Sequence, residues 1–339
     1  MKHIACPVCR ADNRDAFMRG GDLLHGVDGA FTLVRCACGM VYLNPMPDNA
    51  ELARYYPDDY CPHRERKMDP SLKKHRAWKV FILRWYYGCP VDGPAPPRFL
   101  RLLARPVLFW LSLSTLKSMI PYHGAGRIVD VGCGNGGWLL RLKNCGWDVH
   151  GVEIDGPAAA AAGAAGVPCV RGTLHDAHFA DGSFDVVRLH YVFEHLVNPG
   201  ETLDEIRRIL KPGGRCYIRI PNIDSLTFRL FGRHWFPLDI PRHVFHYTPR
   251  TFMRLAGQHG LAVTRVHAHS PPSGFFTSLD YARRAGAVPR WLAWVREDCA
   301  FCRNLWRPAG WLVDRCGKGD IVEYTLTPAA TAFDISGTK

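Results

Sequence analysis

The segment 127–140 constrains the fold of this chain more than any other, because it joins a β-branched run to a glycine-rich bend and an apolar helix start. It reads R-I-V-D-V-G-C-G-N-G-G-W-L-L, so that Asp130 is followed by Gly132, Gly134 and Gly136. Glycines at the end of a parallel strand permit a tight turn and a close approach by a ligand. The next helix presents its first N–H groups to that ligand. The sequence therefore predicts an α/β fold that binds a nucleoside or an anionic group at this bend.

Two binding patterns overlap in these glycines. Gly132, Gly134 and Gly137 satisfy the dinucleotide pattern G-x-G-x-x-G. Gly132, Gly134 and Gly136, preceded by Asp130, satisfy the pattern D-x-G-x-G-x-G. The Asp130 carboxylate would repel a pyrophosphate and attract a cation, which favours a positively charged cofactor. Glu153 ends the next predicted strand, Trp147–Ile154, where an acidic residue hydrogen-bonds ribose hydroxyl groups. Glu153 by itself fits NAD equally well, so the bend alone leaves both cofactors open.

Three further motifs follow the bend in a fixed order. They are F-D-V-V at 184–187, E-H-L at 194–196 and L-K-P-G-G at 210–214. With the glycine bend and Glu153, this series resembles the class I S-adenosylmethionine (SAM)-dependent methyltransferase family over residues 127–268. The resemblance implies an enzyme with a doubly wound, mostly parallel seven-stranded sheet and SAM as its methyl donor. An NAD-dependent enzyme is the alternative.

The resemblance also implies which residues bind SAM. They are Asp130, Gly132, Gly134, Gly136, Glu153, Ile154, Thr173, Leu174 and His190. The chain departs from many relatives after the third strand, where Thr173 and Leu174 replace an acidic residue near the adenine and Asp176 comes slightly later. We therefore expect backbone groups and apolar packing to hold the adenine.

Two cysteine pairs lie near the N-terminus. C-P-V-C and C-A-C are separated by a hairpin-sized insert with a predicted strand at 30–35, and Gly39 relaxes the turn after the second pair. This spacing predicts a structural zinc ion held by four thiolates, with buried thiols or a redox pair as alternatives. The C-x-C pair is one residue shorter than the usual C-x-x-C of a zinc ribbon. The predicted ligands are Cys6, Cys9, Cys36 and Cys38.

The cysteine pairs, C-G-M-V-Y-L-N-P-M-P at 38–47 and Y-Y-P-D-D-Y at 55–60 resemble a bacterial subgroup of these methyltransferases. That subgroup carries a small cysteine-rich N-terminal module, and its substrates are often sugars or other biosynthetic small molecules. We predict a zinc-ribbon-like module at 1–45, a helical linker or lid at 46–125 and a SAM-binding domain at 126–335. A tryptophan-rich insertion at 268–319 separates two final strands that we expect to pair antiparallel.

The net charge of +12 favours an anionic partner, which could be nucleic acid, an anionic membrane surface or an acidic substrate. The basic residues form no stripe, so we expect a small-molecule substrate and no nucleic acid. Aromatic and basic linker helices at 78–87 and 98–120 either cap the cofactor cleft or touch a membrane surface. The sequence shows no signal segment, no apolar run of about 18 residues and no disulfide pattern. We therefore expect a cytoplasmic protein, either free or in peripheral contact with a membrane.

Polar side chains follow the fourth and fifth predicted strands, where ligands bind in open α/β sheets. His243 is our first candidate for a general base, followed by His190 and His195, although each histidine also suits a structural role. The candidate substrate residues are Tyr56, Tyr60, Asn222 and His246.

The function predicted from the sequence is SAM-dependent methyl transfer to a small-molecule acceptor. A sugar, a polysaccharide intermediate and a lipid-linked precursor are the candidate acceptors. The alternatives are an RNA methyltransferase and a non-catalytic SAM-binding regulatory module.

Overall fold

The computed structural model describes residues 1–56, 82–91, 97, 99–100, 119–296 and 299–329. The chain divides into two compact units. The first comprises Met1–Tyr60, Leu189–Arg207 and Tyr217–Lys339, and the second comprises Cys61–Arg188 and Arg208–Cys216. The predicted domain boundaries at residues 45 and 125 remain predictions. Most of the predicted linker helices and Tyr60 lie outside the described residues.

The described strands and helices follow one another in an order typical of an α/β chain. The strands are β1 (Ala16–Gly20), β2 (Phe31–Arg35), β3 (Val41–Leu43), β4 (Arg127–Val131), β5 (Asp148–Glu153), β6 (Cys169–Arg171), β7 (Phe184–His190), β8 (Leu210–Pro221), β9 (Phe245–His246), β10 (Leu261–His269) and β11 (Ile321–Pro328). The helices are α1 (Asn49–Ala53), α2 (Gly137–Lys143), α3 (Gly156–Ala164), α4 (Pro199–Ile209), α5 (Leu226–Phe231), α6 (Pro249–Gln258), α7 (Pro272–Arg284) and α8 (Ala300–Arg315).

The larger sheet has seven strands in the order β10-β11-β8-β7-β4-β5-β6. β4 pairs parallel with β5, and β5 pairs parallel with β6. Their apolar runs are buried, with Ile128 and Val129 at 0% exposure, as expected for parallel strands covered on both faces. β10 and β11 pair antiparallel, from Leu261 opposite Pro328 to His269 opposite Ile321. The predicted sheet and its antiparallel final pair are confirmed.

Two segments of the larger sheet refine the sequence prediction. The proline and glycines of L-K-P-G-G predict a turn before a strand, but the motif lies within the bounds of β8. Gly213, with a φ of +78°, lets the backbone bend there without ending the strand. The insertion after β10 contains α7 and α8.

Among the helices in the described ranges, none is both long enough and apolar enough to cross a bilayer.

The smaller sheet is antiparallel, with the strand order β1-β2-β3-β9. The predicted strand at 30–35 is observed as β2, which pairs with β3 from Leu33 opposite Leu43 to Arg35 opposite Val41. β3 in turn pairs with β9, where Val41 lies opposite His246. This sheet therefore joins the cysteine-rich segment to the histidine-containing segment that precedes α6, within the first unit.

Candidate functional site

The glycine bend in the second unit connects β4 to α2. Gly132, Gly134 and Gly136 all have positive φ values, of +69°, +56° and +72°. A Cβ atom on Gly136 would lie 3.0 Å from the Cβ of Ala162, so this position requires glycine for both conformation and space. The Gly132 N–H donates to the Val152 carbonyl at 2.8 Å, which ties the bend to β5. The bend is thus a tight turn at the end of β4 that is tied to the neighbouring strand, and its binding of a cofactor remains a prediction.

Glu153 stands at the end of β5 and is 9% exposed. Its Oε2 accepts a hydrogen bond from the Gly134 N–H at 2.7 Å, and its Oε1 accepts one from the Asp155 N–H at 3.0 Å. The carboxylate therefore stabilises the glycine bend through these two hydrogen bonds. Its contact with the ribose remains a prediction.

Asp130 has a partner that the sequence analysis missed. It is 2% exposed, and both of its carboxylate oxygens accept from Nη1 of Arg188 at 2.8 Å. The Arg188 guanidinium also lies 3.8 Å from the centre of the Trp138 ring. Burial raises the pKa of Asp130 to about 6, while Arg188 acts in the opposite direction. Arg188 thus neutralises the carboxylate that we expected to attract a cationic cofactor.

The remaining predicted cofactor residues lie after β5, β6 and β7. Ile154 is 73% exposed and Leu174 is 3% exposed, so only Ile154 offers a free apolar surface. The Thr173 hydroxyl group donates to Asp176 at 2.7 Å, which fixes this turn through the acidic residue that comes later than in many relatives. His190 ends β7, in the first unit, and its Nε2 lies 3.5 Å from Glu323.

The four N-terminal cysteines form one cluster. Their sulfur atoms all lie within 4.8 Å of one another, with Cys6 and Cys38 at 3.6 Å and Cys9 and Cys36 at 3.3 Å. Four thiolates at 2.3 Å from a tetrahedral zinc ion would be roughly 3.8 Å apart, so these residues fit the ion. Gly39, after the C-x-C pair, has a φ of +97°, as the predicted tight turn requires.

Three histidines of the first unit form a second cluster, the histidine cluster. They are His195, on the 3-10 helix Phe193–His195 after β7, and His243 and His246, on the segment before α6. His243 Nδ1 donates to the Pro237 carbonyl at 2.8 Å, which leaves Nε2 as the basic nitrogen. Burial lowers the pKa of His243, with Asp239 opposing it, so the ring is neutral near pH 7. Its Nε2 lies 3.9 Å from Glu194 and 3.8 Å from Asp239.

His195 is held from two sides. Its Nδ1 donates to the Arg242 carbonyl at 2.9 Å and lies 3.0 Å from the hydroxyl oxygen of Tyr56. Burial lowers the pKa of His195 to about 3, and nearby His243 adds to this shift. The structure therefore brings Tyr56, His195 and His243 together, as a substrate or catalytic role requires.

Two buried side chains in this cluster have polar atoms without a hydrogen-bond partner among the described residues. Glu194 is 1% exposed, yet neither of its carboxylate oxygens accepts a hydrogen bond from any other described residue. Burial raises its pKa to about 8. His246 is 2% exposed, and its Nε2 is likewise without a partner among the residues described. Such buried groups are rare in native proteins and often mark a functional site.

Arg242 fixes the loop that carries the histidines. Its guanidinium is fully buried and donates to Asp22 and to Asp239, each at 2.6 Å, and to the Tyr55 carbonyl at 2.9 Å. It therefore connects the N-terminal segment to the histidine loop. Sequence reasoning missed this role. The available signal was the charged Arg242 within the segment 239–248, D-I-P-R-H-V-F-H-Y-T, which indicates a buried ion pair.

Asn222 was expected to contact substrate, but the structure gives its side chain two structural bonds. Nδ2 donates to the Gly319 carbonyl at 3.0 Å, and Oδ1 accepts from the Asp224 N–H at 3.1 Å. Asn222 is 1% exposed. These contacts fix the end of β8, and a substrate contact for Asn222 remains a prediction.

The chain is similar to known methyltransferases. A family model described as a methyltransferase domain matches residues 98–266. An uncharacterized methyltransferase of Mycobacterium leprae is 31% identical over 230 residues, which cover 60% of this chain and 78% of that protein. The ubiquinone biosynthesis O-methyltransferase of Xanthomonas oryzae is 28% identical over 173 residues, covering 48% of this chain and 68% of that protein. An uncharacterized protein in transposon TN4556 of Streptomyces fradiae is 32% identical, but the match covers only 44% of its length.

Proposed function

Because the chain belongs to the SAM-dependent methyltransferase family, we propose that it transfers the methyl group of SAM to a small-molecule acceptor that binds beside the histidine cluster. The observation that carries the acceptor part of this proposal is the arrangement of His195, His243 and Glu194, whose ligand atoms lie within 4.8 Å of one another. A sugar, a polysaccharide intermediate and a lipid-linked precursor remain the candidate acceptors.

His243 is the group that we propose to remove the acceptor proton. Methyl transfer requires a nucleophile that is positioned at the methyl group, and a base assists when that nucleophile is a hydroxyl group. The hydrogen bond from Nδ1 to Pro237 leaves Nε2 of His243 able to accept a proton. His195 and Tyr56, which contact each other, are candidates for orienting the acceptor.

An apolar groove in the same unit supports an acceptor with both apolar and anionic parts. Leu23, Leu24 and Leu238 line the groove together with Arg19 and Arg233. Asp239, which lies 3.8 Å from His243, also borders it. A lipid-linked or nucleotide-linked sugar has both parts, and we propose this class of acceptor.

Turnover on candidate acceptors tests the proposal. Purified full-length chain is incubated with methyl-labelled SAM and with panels of sugars, nucleotide-linked sugars and lipid-linked intermediates. His243→Ala should reduce turnover by about 100-fold or more, as expected when a general base is lost, while SAM affinity stays unchanged. His175→Ala is a matched control, because His175 is an exposed histidine outside both clusters. Equal turnover by both variants would contradict the role of His243, and methylation of RNA alone would contradict the small-molecule acceptor.

We also propose that Cys6, Cys9, Cys36 and Cys38 hold one structural zinc ion. The separations between the sulfur atoms support this, as does the closed set of four thiolates, which leaves no position for a catalytic water. A cysteine-rich segment of this size gains folding free energy from the metal.

Peripheral contact with a membrane is a further proposal. Trp291, Trp294 and Trp311 are 57–63% exposed. Arg290 directly precedes Trp291 in the sequence, and the Arg315 guanidinium lies 5.3 Å from the centre of the Trp311 ring. Aromatic rings with basic neighbours suit the interface of an anionic bilayer. Co-sedimentation with anionic and neutral vesicles tests this, because the proposal requires binding that is specific to the anionic ones and lost in Trp291→Ala/Trp294→Ala.

A further inference from the structure

The histidine cluster contains a set of potential metal ligands, and the proposed role of His243 as a base does not explain that set. One ligand atom each from Glu194, His195 and His243 lies within 4.8 Å of the other two. Two imidazoles and one carboxylate are a recurrent ligand set for first-row transition ions, with positions left open for other ligands. We propose that these three side chains bind a divalent first-row transition ion, separate from the four-cysteine zinc site.

The orientation of both imidazole rings supports metal ligation. Nδ1 of His243 donates to the Pro237 carbonyl at 2.8 Å, and Nδ1 of His195 donates to the Arg242 carbonyl at 2.9 Å. A carbonyl oxygen can only accept, so each ring carries its proton on Nδ1 and keeps the Nε2 lone pair. Histidines that bind metals are oriented in this way by a hydrogen bond from the other ring nitrogen.

Glu194 supplies the independent observation. A carboxyl group that is 1% exposed and accepts no hydrogen bond from any other described residue is costly to bury. Its Oε1 lies 3.9 Å from Nε2 of His243. An ion between them would coordinate the carboxylate and remove this cost. The two atoms would have to move about 0.5–0.9 Å closer, to the separation of about 3.0–3.4 Å that ligands at 2.1 Å require.

The surrounding charge favours a cation. Three carboxylates lie in this cluster, of the buried Asp22 and Glu194 and the partly exposed Asp239, and the Arg242 guanidinium bonds to Asp22 and Asp239. When all are ionised, the group therefore has an excess of two negative charges among the described residues. A divalent ion at Glu194 balances that excess.

The ion would change how the acceptor is activated. A hydroxyl group that coordinates a divalent ion loses its proton more readily, because the ion stabilises the oxyanion. This inference concerns the same site as the proposed function and replaces one step of it: in the ion-free chain Nε2 of His243 is the base, whereas in the ion-loaded chain His243 is a ligand and the ion activates the acceptor. Loss of turnover in His243→Ala is expected in both cases, so Co²⁺ binding is the measurement that distinguishes them.

Co²⁺ is a suitable probe because its absorption spectrum separates the two sites. Thiolate ligands give intense charge-transfer bands, whereas nitrogen and oxygen ligands do not. The full-length chain is dialysed against a weak chelator that leaves the cysteine site loaded, and is then titrated with Co²⁺ in the absence of SAM and acceptor. We expect one saturable Co²⁺ per chain without a thiolate charge-transfer band. Because no methyl donor is present, this result is independent of the proposed methyl transfer.

Substitutions assign the ion to its ligands. Glu194→Gln and His243→Ala should each lower the Co²⁺ affinity by at least tenfold. Glu201→Gln, which removes an exposed carboxylate from α4, should bind Co²⁺ as the unmodified chain does. Circular dichroism and SAM affinity report whether each variant is folded, and His195→Ala replaces any variant that is not.

Three results would overturn the proposal. They are no saturable Co²⁺ binding by the unmodified chain, Co²⁺ binding with a thiolate spectrum only, and unchanged affinity in folded Glu194→Gln and His243→Ala. Turnover without Co²⁺ binding would contradict the metal proposal and leave the methyltransferase proposal unaffected.

Discussion

Replacement of Arg188 by methionine tests the electrostatics of the glycine bend. Nη1 of Arg188 lies 2.8 Å from both oxygens of Asp130, which is 2% exposed. Methionine is apolar and of similar length, so it can keep the contact with the Trp138 ring while it removes the charge. Arg188→Met therefore leaves Asp130 buried without its counter-ion, and we predict a loss of stability that depends on pH.

The size of the loss follows from the pKa of Asp130. Burial raises that pKa from 3.8 to about 6 in the presence of Arg188. At about 1.4 kcal/mol per pKa unit, the buried carboxylate already costs the folded state about 3 kcal/mol. The cost cannot exceed that of protonating the carboxyl group, about 5 kcal/mol at pH 7.5. Removal of Arg188 therefore adds at most about 2 kcal/mol through Asp130, and the lost interaction with Trp138 adds about 1 kcal/mol.

The sign of the pH dependence follows from the same shift. The folded state holds the Asp130 proton more tightly than the unfolded state does, so the contribution of this group to stability is most favourable below about pH 4. It falls as the pH rises to about 6 and is then constant. Without Arg188 the pKa of Asp130 rises further, so the fall continues above pH 6.

Urea unfolding at pH 6, 7 and 8 measures this effect in four proteins. These are the unmodified chain, Arg188→Met, Asp130→Asn and the double variant. The free energy of unfolding of Arg188→Met should fall relative to the double variant by up to about 1.4 kcal/mol per pH unit above pH 6. Asp130→Asn should remove this slope. If Arg188→Met costs the same at all three pH values, and the same in the Asp130→Asn background, the ion pair does not stabilise the bend.

Three further predictions concern the cofactor bend and the cysteine cluster. Glu153→Gln should weaken SAM binding by about 1–3 kcal/mol in calorimetry, whereas Glu201→Gln should not, and equal affinities would exclude the ribose contact. Gly136→Ala should destabilise the chain by about 1–2 kcal/mol, because its φ is +72° and the new Cβ would crowd Ala162. Gly163→Ala, in α3 with open space around it, should instead raise the melting temperature. Metal analysis should find about one zinc ion per chain in the cysteine cluster, lost in Cys6→Ser, and an ordered metal-free chain would refute the assignment.

The sequence predicts the large sheet well because local patterns decide its elements. The β-branched run before Asp130 and the three glycines after it are sufficient to define β4 and the bend, and all three glycines have the positive φ that the motif implies. Strands β10 and β11 could be paired from their position at the end of the chain. Each of these inferences uses residues that are close in sequence, or a family order that fixes their neighbours.

The partners of buried charged groups could not be predicted in the same way. Arg188 and Asp130 are 58 positions apart, and Arg242 and Asp22 are 220 apart. Nothing in the local pattern identifies which carboxylate meets which guanidinium, because that depends on tertiary contacts. The available signal was weaker: Arg188 lies in the largely buried strand F-D-V-V-R-L-H, and a charge in a buried strand requires a partner.

The structure also changes how the N-terminal module and the histidine cluster relate. The cysteine pairs and the segment 239–248, D-I-P-R-H-V-F-H-Y-T, are far apart in the sequence. In the structure, β3 and β9 pair directly, with Val41 opposite His246. Arg242 makes a second link, to Asp22 in the segment between β1 and β2. The module therefore supports the histidine loop through a strand pair and a buried ion pair. The proposed zinc ion, although closed to substrate, would act on catalysis by holding that loop in place.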